Sequence, residues 1–128
     1  MKRAWARTAN GTRGTEAGFV LNGTPSNYKI VDTKSANTQS EQKMTVYGDT
    51  FLLFHVHPNS STRNPSTPGN NARGDRNSGD TLVSDRFQQR GRTIPFLVGR
   101  RNGLTMYDPK TKQVTVLREN LDWTKPCK

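Results

Sequence analysis

The sequence predicts an α/β domain in which one β-sheet carries few helices. Three observations lead there: short apolar runs recur between turn-forming residues, one later segment has helical spacing, and the order is strands, one helix, then strands again. A chain of 128 residues is of single-domain length, so 1–128 is expected to form one domain with a modest core drawn from about 16–117.

The elements follow in order. Ala17-Gly18-Phe19-Val20-Leu21 is a short apolar strand, and Asn22 to Asn27 is dense in turn residues. Tyr28-Lys29-Ile30-Val31-Asp32 alternates and reads as the hairpin partner. Residues 33–43 are polar and read as a loop or connector. Met44-Thr45-Val46-Tyr47 is expected as a third strand, and Gly48-Asp49 turns the chain into a strand over 50–57 built on Phe51-Leu52-Leu53-Phe54. Pro58 cannot donate to a ladder and stops that strand.

From Asn59 to Gly79 the only aliphatic residue is Ala72. A polar segment this long in a small domain is functional or disordered, and it borders whatever lies at the strand end before it. Ser78-Gly79-Asp80-Thr81 gives helix-start signals, Leu82, Val83 and Phe87 form an apolar face, and Gly91 closes the helix. Ile94-Pro95-Phe96-Leu97-Val98 is a strand whose proline marks an edge or a strand start. After a turn at Arg101-Asn102-Gly103, Leu104–Tyr107 and Gln113–Leu117 form a hairpin around 108–112. No internal repeat is present.

Composition narrows the function classes. The formal charge of +10 suggests an anionic partner, either an acidic surface or a nucleic acid. The basic residues are scattered, however, with no aromatic-interleaved stripe of the single-strand-binding kind, and a solvated basic surface is the commoner explanation. Cys127 is the single cysteine, which excludes an intrachain disulfide and a thiolate zinc site. No apolar stretch approaches the roughly 18 residues of a membrane span, so no membrane partner is expected. Met1 to Arg7 starts basic, but no apolar region follows, so no signal peptide is expected and the location stays open between cytoplasm and export within a larger protein. Asn-x-Ser/Thr triplets at Asn10, Asn22 and Asn59 carry no weight without a secretion signal.

The chemistry-bearing feature is His55-Val56-His57-Pro58, which holds both histidines of the chain. Residues i and i+2 of a strand share a face, so His55 and His57 can aim at one metal ion from a strand end. Two surface histidines, or one core and one edge residue, would fit the same spacing. A hydrolytic zinc site needs about three protein ligands, an open position and a nearby general base. No histidine remains and Cys127 is remote in sequence, so the third ligand must be an oxygen. Asp80, at the head of the helix after the polar loop, is the choice; Asp75 and Asp85 are rivals. Asp80 serves equally well as a helix N-cap with no metal involved. Glu16, at the head of the first strand, is the carboxylate available as base, and can equally be a solvent-facing strand-end residue.

Taken in order, Glu16-Ala17-Gly18-Phe19-Val20-Leu21, His55-Val56-His57-Pro58, Pro65-Ser66-Thr67 and Gly79-Asp80 resemble the JAMM/MPN metallopeptidases, in particular bacterial JAB-like domains. Ile94 to Gly99 and Gly103 to Asp108 are similar too, so the resemblance covers about 16–108. It implies a JAMM/MPN (cytidine-deaminase-like) architecture, a mixed sheet flanked by helices. It implies one Zn2+ held by His55, His57, Asp80 and a water, with Glu16 as acid/base and a serine holding the oxyanion. The reaction would be hydrolysis of an amide bond in a protein or peptide substrate, as a peptidase or isopeptidase.

Two departures stand out. The family has a compact Ser-x-x-Asp, whereas here Gly69 stands in the aspartate's place and Asp80 follows an apparent insertion. Ser66 is the favoured oxyanion residue and Ser78 the alternative. Residues 33–43 show little helical periodicity, so fewer flanking helices are expected than the family has. Related bacterial domains often end large toxin or effector proteins, an analogy at the level of fold alone. Three competing readings remain: a basic nucleic-acid-binding domain with structural histidines, a metal-dependent nuclease using His55 or His57, and a catalytically silent scaffold of the same fold. Glu16 discriminates, because a binding domain should not notice Glu16→Gln.

Overall fold

The computed structural model describes residues 1, 4, 17–32, 45–56, 80–100 and 103–121. The strands are β1 (Gly18–Thr24), β2 (Asn27–Asp32), β3 (Thr50–Val56), β4 (Phe96–Arg100), β5 (Gly103–Asp108) and β6 (Gln113–Glu119), with the helix α1 (Asp80–Gln89) between β3 and β4. They join in one six-stranded sheet of order β2-β1-β3-β4-β5-β6. Every neighbouring pair is antiparallel except β3 and β4, which run parallel. The architecture is therefore a mixed sheet of α/β type, with one helix among the described residues. A parallel pair cannot be joined by a tight turn and needs a crossover of a dozen or more residues. The chain from 57 to 95, α1 included, is that crossover.

Alternation of side chains divides the core in two. Phe19, Phe54, Val56, Leu97 and Leu104 face one side, where Ala4 and Ala17 are also buried. Val20, Leu53, Ile94, Phe96, Val98 and Tyr107 face the other, against Val83 and Phe87 of α1. The central strands β3 and β4 are thus buried on both faces and read as continuous apolar runs. Full burial of a Phe54- or Leu53-sized side chain contributes about 1.5–3 kcal/mol, so these strands hold the densest part of the core.

The structure differs from the sequence expectation in two places and decides a third. Of the strand expected over 44–47, Met44 lies outside the described residues and 45–47 form no strand; Val46 packs against the core. Tyr47 instead closes the turn into β3: its N–H donates to Thr50 Oγ1 at 2.8 Å and its carbonyl accepts from Thr50 N at 3.2 Å. Pro95 marks a strand start, as one of its two sequence readings has it: it directly precedes the central strand β4, where its ring needs no ladder donor, and its carbonyl accepts from Leu53 N at 3.1 Å. Finally, β2 and β6 fall within the expected core range of 16–117, yet they are the two outer strands, and of these positions Val31 packs against the core. Tyr28, Ile30, Val114, Val116 and Leu117 are exposed there. Among the described residues no helix is long and apolar enough to cross a membrane.

The helix is fixed at its exit and at its middle. Gly91 has φ +82°, its N–H bonds Gln88 O at 3.0 Å, and Arg92 N bonds Phe87 O at 2.9 Å. This is a Schellman motif, which only glycine enters without strain. Arg92 then packs over the Phe87 ring at 5.2 Å and donates to Tyr47 O and Thr50 O at 3.1 and 2.9 Å, tying the helix exit to the start of β3. On the other flank Asp85 accepts from Tyr107 Oη and from Lys112 Nζ, both at 2.7 Å, which ties mid-helix to the β5–β6 hairpin.

Burial, then the hydrogen bond to Asp85, pushes the Tyr107 phenol well above its ordinary 10.0. The folded state therefore keeps a proton that the unfolded chain releases above about pH 10. The Tyr107 contribution is complete below that value and is lost as pH rises through the folded value. Tyr107→Phe is expected to cost about 1–2 kcal/mol at pH 8. Urea unfolding at pH 8 and pH 11 should show a smaller alkaline loss in the variant than in wild type; equal losses would contradict this reading.

Candidate metal centre

His55 reaches its position because β3 runs as a buried strand between β1 and β4. It stands opposite Gly18 on one side and Val98 on the other, so its imidazole shares the helix-covered face with Leu53, Phe96 and Val98. The ring packs edge-on against Phe96, with centroids 4.8 Å apart and planes at 66°. That contact fixes the ring in an apolar wall.

Asp80 comes from above. It opens α1, where the helix dipole favours a carboxylate, and it is buried with the helix's inner side. Its Oδ2 lies 3.1 Å from His55 Nε2, and the two side chains are 10% and 4% exposed. An ionised carboxylate so deeply buried needs a compensating cation. An imidazolium supplies one at this distance, and so does a shared metal ion. Two donors on a tetrahedral zinc, at about 2.0–2.2 Å each, stand about 3.4 Å apart. The observed separation lies within a few tenths of an ångström of that, and an imidazole nitrogen with a carboxylate oxygen is a donor set suited to zinc. The pair therefore fits two positions of a zinc site.

The location is that of a ligand site in a sheet with parallel strands. His55 lies near the carboxyl end of the β3–β4 pair, the end at which such sheets bind ligands, and α1 begins over it. Arg100, two residues after Val98 on β4, adds a half-buried cation at the same end. Its guanidinium passes over Gly103, where a Cβ would stand 2.7 Å from Arg100 Cζ.

The other expected site residues are distributed as follows. His57, Glu16, Ser66, Ser78 and Asp75 lie outside the described residues. Among the described residues no group of three or more histidines, cysteines or acidic residues is assembled. The strand that follows Glu16 is nonetheless the direct neighbour of β3: Ala17 O accepts from Val56 N at 2.8 Å, and Gly18 pairs with His55. Asp85, the rival ligand, is instead held by Tyr107 and Lys112 at the β5–β6 hairpin. Helical geometry separates it from Asp80, since positions i and i+5 do not share a face.

Sequence reasoning missed Gly18. A Cβ there would stand 2.9 Å from His55 Cβ and would collide with the Phe54 carbonyl. The glycine lets β1 approach β3 beside the histidine. The signal was in the sequence, a glycine inside an apolar strand, which marks a close backbone approach.

Gly18→Ala should therefore force the strands apart at His55 and cost about 1–3 kcal/mol. Gly48→Ala, which meets no atom within 4 Å, serves as the control and should be close to neutral. Thermal melts and the His55 imidazole resonances of the two variants check this; an unshifted His55 signal in a fully stable Gly18→Ala would contradict it. Compared with known proteins, the chain matches no family model, no curated protein and no solved structure.

Proposed function

We propose that this chain is a zinc-dependent amide-bond hydrolase of JAMM type, a peptidase or isopeptidase. The observation that carries the reading is the buried contact of His55 Nε2 with Asp80 Oδ2 at 3.1 Å. Two residues 25 positions apart in sequence, singled out as ligands by type and order, meet at the carboxyl end of the parallel pair.

In this reading His55, His57 and Asp80 hold the zinc. Zinc, when bound, supplies a Lewis acid that polarises the amide carbonyl and makes water acidic enough to attack near neutral pH. Asp80 contributes negative charge, and the helix N-terminus beneath it limits how far that charge raises the local electron density. His55 is oriented by Phe96 and by the close approach of Gly18, so one ligand position is set before any ligand arrives. Glu16 takes the proton from the attacking water and delivers it to the departing amine. Ser66, with Ser78 as the alternative, donates a hydrogen bond to the oxyanion. The amide carbon gains the water oxygen, the C–N bond breaks, and the amine leaves protonated. The basic surface, at a formal +10, suits an acidic protein substrate.

Metal content measured by inductively coupled plasma mass spectrometry tests the reading. Folded wild type is expected to hold about one zinc per chain. His55→Ala, His57→Ala and Asp80→Ala should lose it, while Glu16→Gln should keep zinc and lose hydrolysis of amide substrates. Folded wild type that takes up no zinc on addition would overturn the proposal. Salt-sensitive nucleic-acid binding in that case would select the basic binding domain, and its absence the silent scaffold.

A further inference from the structure

The inner side of α1 carries a polar atom that neither core packing nor the ligand set uses. Ser84 is fully buried, at 0% exposure, and its Oγ has no hydrogen-bond partner among the described residues. A serine within a helix ordinarily bonds the carbonyl four residues back, which here is Asp80, and that bond is not made. Leaving a buried hydroxyl unsatisfied costs about 1–3 kcal/mol. An alanine would fill the same helical position without that cost.

We propose that Ser84 is the positioning residue for Asp80: its hydroxyl holds the Asp80 carboxylate in the orientation that binds metal. The role rests on the metal-site reading above. Positions 80 and 84 are four apart on one helix, hence on one face, with Cβ atoms about 5–6 Å apart. A serine Oγ and a carboxylate oxygen span that distance with one hydrogen bond. The Cα–Cβ bond of a helical residue tilts toward the N-terminus, so the Ser84 hydroxyl leans toward the turn of Asp80. The rest of that helix face is apolar, with Val83 and Phe87 against the sheet, so buried polar atoms gather at the Asp80 end.

The chemistry explains why the donor waits. Asp80 Oδ2 is directed at His55. When one carboxylate oxygen ligates a metal, the other accepts a hydrogen bond, and that bond holds the group in a single-oxygen binding mode. Serine can rotate its proton onto either oxygen. Ser84 thus acts through Asp80 and touches neither metal nor substrate.

The test is zinc affinity of the full chain, stripped of metal and titrated against a chromophoric chelator, for wild type, Ser84→Ala and Ser84→Thr. Circular dichroism melts report folding. The expected result is a 10- to 100-fold loss of zinc affinity in Ser84→Ala. Ser84→Thr, which keeps the hydroxyl, should recover it. The melt of the metal-free Ser84→Ala variant should be no lower than wild type. Wild-type affinity in Ser84→Ala overturns the role of Ser84 while leaving the zinc reading intact. A folded wild type that binds no zinc overturns both, so the two failures are told apart.

Discussion

The parallel pairing of β3 with β4 is the constraint on which the remaining structure depends. It joins two antiparallel units, β2-β1-β3 and β4-β5-β6, into one sheet. Because parallel neighbours cannot be linked by a hairpin, it demands a crossover, and the crossover brings α1 over one sheet face. The same pairing aligns the carboxyl ends of two buried strands. His55 and Arg100 lie at that end, and the first residue of α1 comes down onto His55. Polar chemistry is thereby concentrated at one edge of an otherwise apolar layer.

That concentration works against stability and for a site. Between helix and sheet the buried polar side chains among the described residues are His55, Asp80, Thr81, Ser84 and Thr105, whereas the surrounding positions are Val, Leu, Ile, Phe and Tyr. Each buried polar group must be satisfied or it destabilises the fold by about 1–3 kcal/mol. Thr105 directs its hydroxyl at Val98 O, at 3.4 Å. Asp80 and His55 face one another. Two interactions away from this cluster hold the helix against the sheet independently of it. Arg92 clamps the helix exit to the turn before β3, and Asp85 bridges to Tyr107 and Lys112. The site can therefore be altered while the helix stays anchored at its middle and its end. Arg92, which composition alone assigned to a solvated surface, thereby gains specific partners, while Lys112 stays 60% exposed beside Asp85.

Sequence patterns had made much of this legible. The β1–β2 hairpin, the histidine strand, the helix from Asp80 to the Gly91 cap and the β5–β6 hairpin each have a local cause. The causes are alternation, a turn rich in Gly, Pro and Asn, helical spacing and a glycine in the left-handed region. Local pattern failed where the outcome depends on which edges are free. Residues 45–47 have strand-like composition, yet they join no edge of the sheet and Tyr47 is held in the turn into β3. Val114, Val116 and Leu117 have core-like composition, yet β6 is an outer strand.

The sequence by itself determined the chemistry available: two histidines at i and i+2, Asp75, Asp80 and Asp85 after them, one remote cysteine, and elements whose order admits an α/β sheet. Side-chain type and spacing are local properties, and a strand or helix period reads them directly. Only the tertiary structure decided that Asp80, and not Asp85, meets His55, because that choice depends on how α1 is rotated over β3 and β4. It alone exposed the need for glycine at 18, since the clash involves a neighbouring strand 37 residues away in the chain. It alone left the Ser84 hydroxyl buried beneath the helix, since burial is set by what packs against a residue and not by the residue itself.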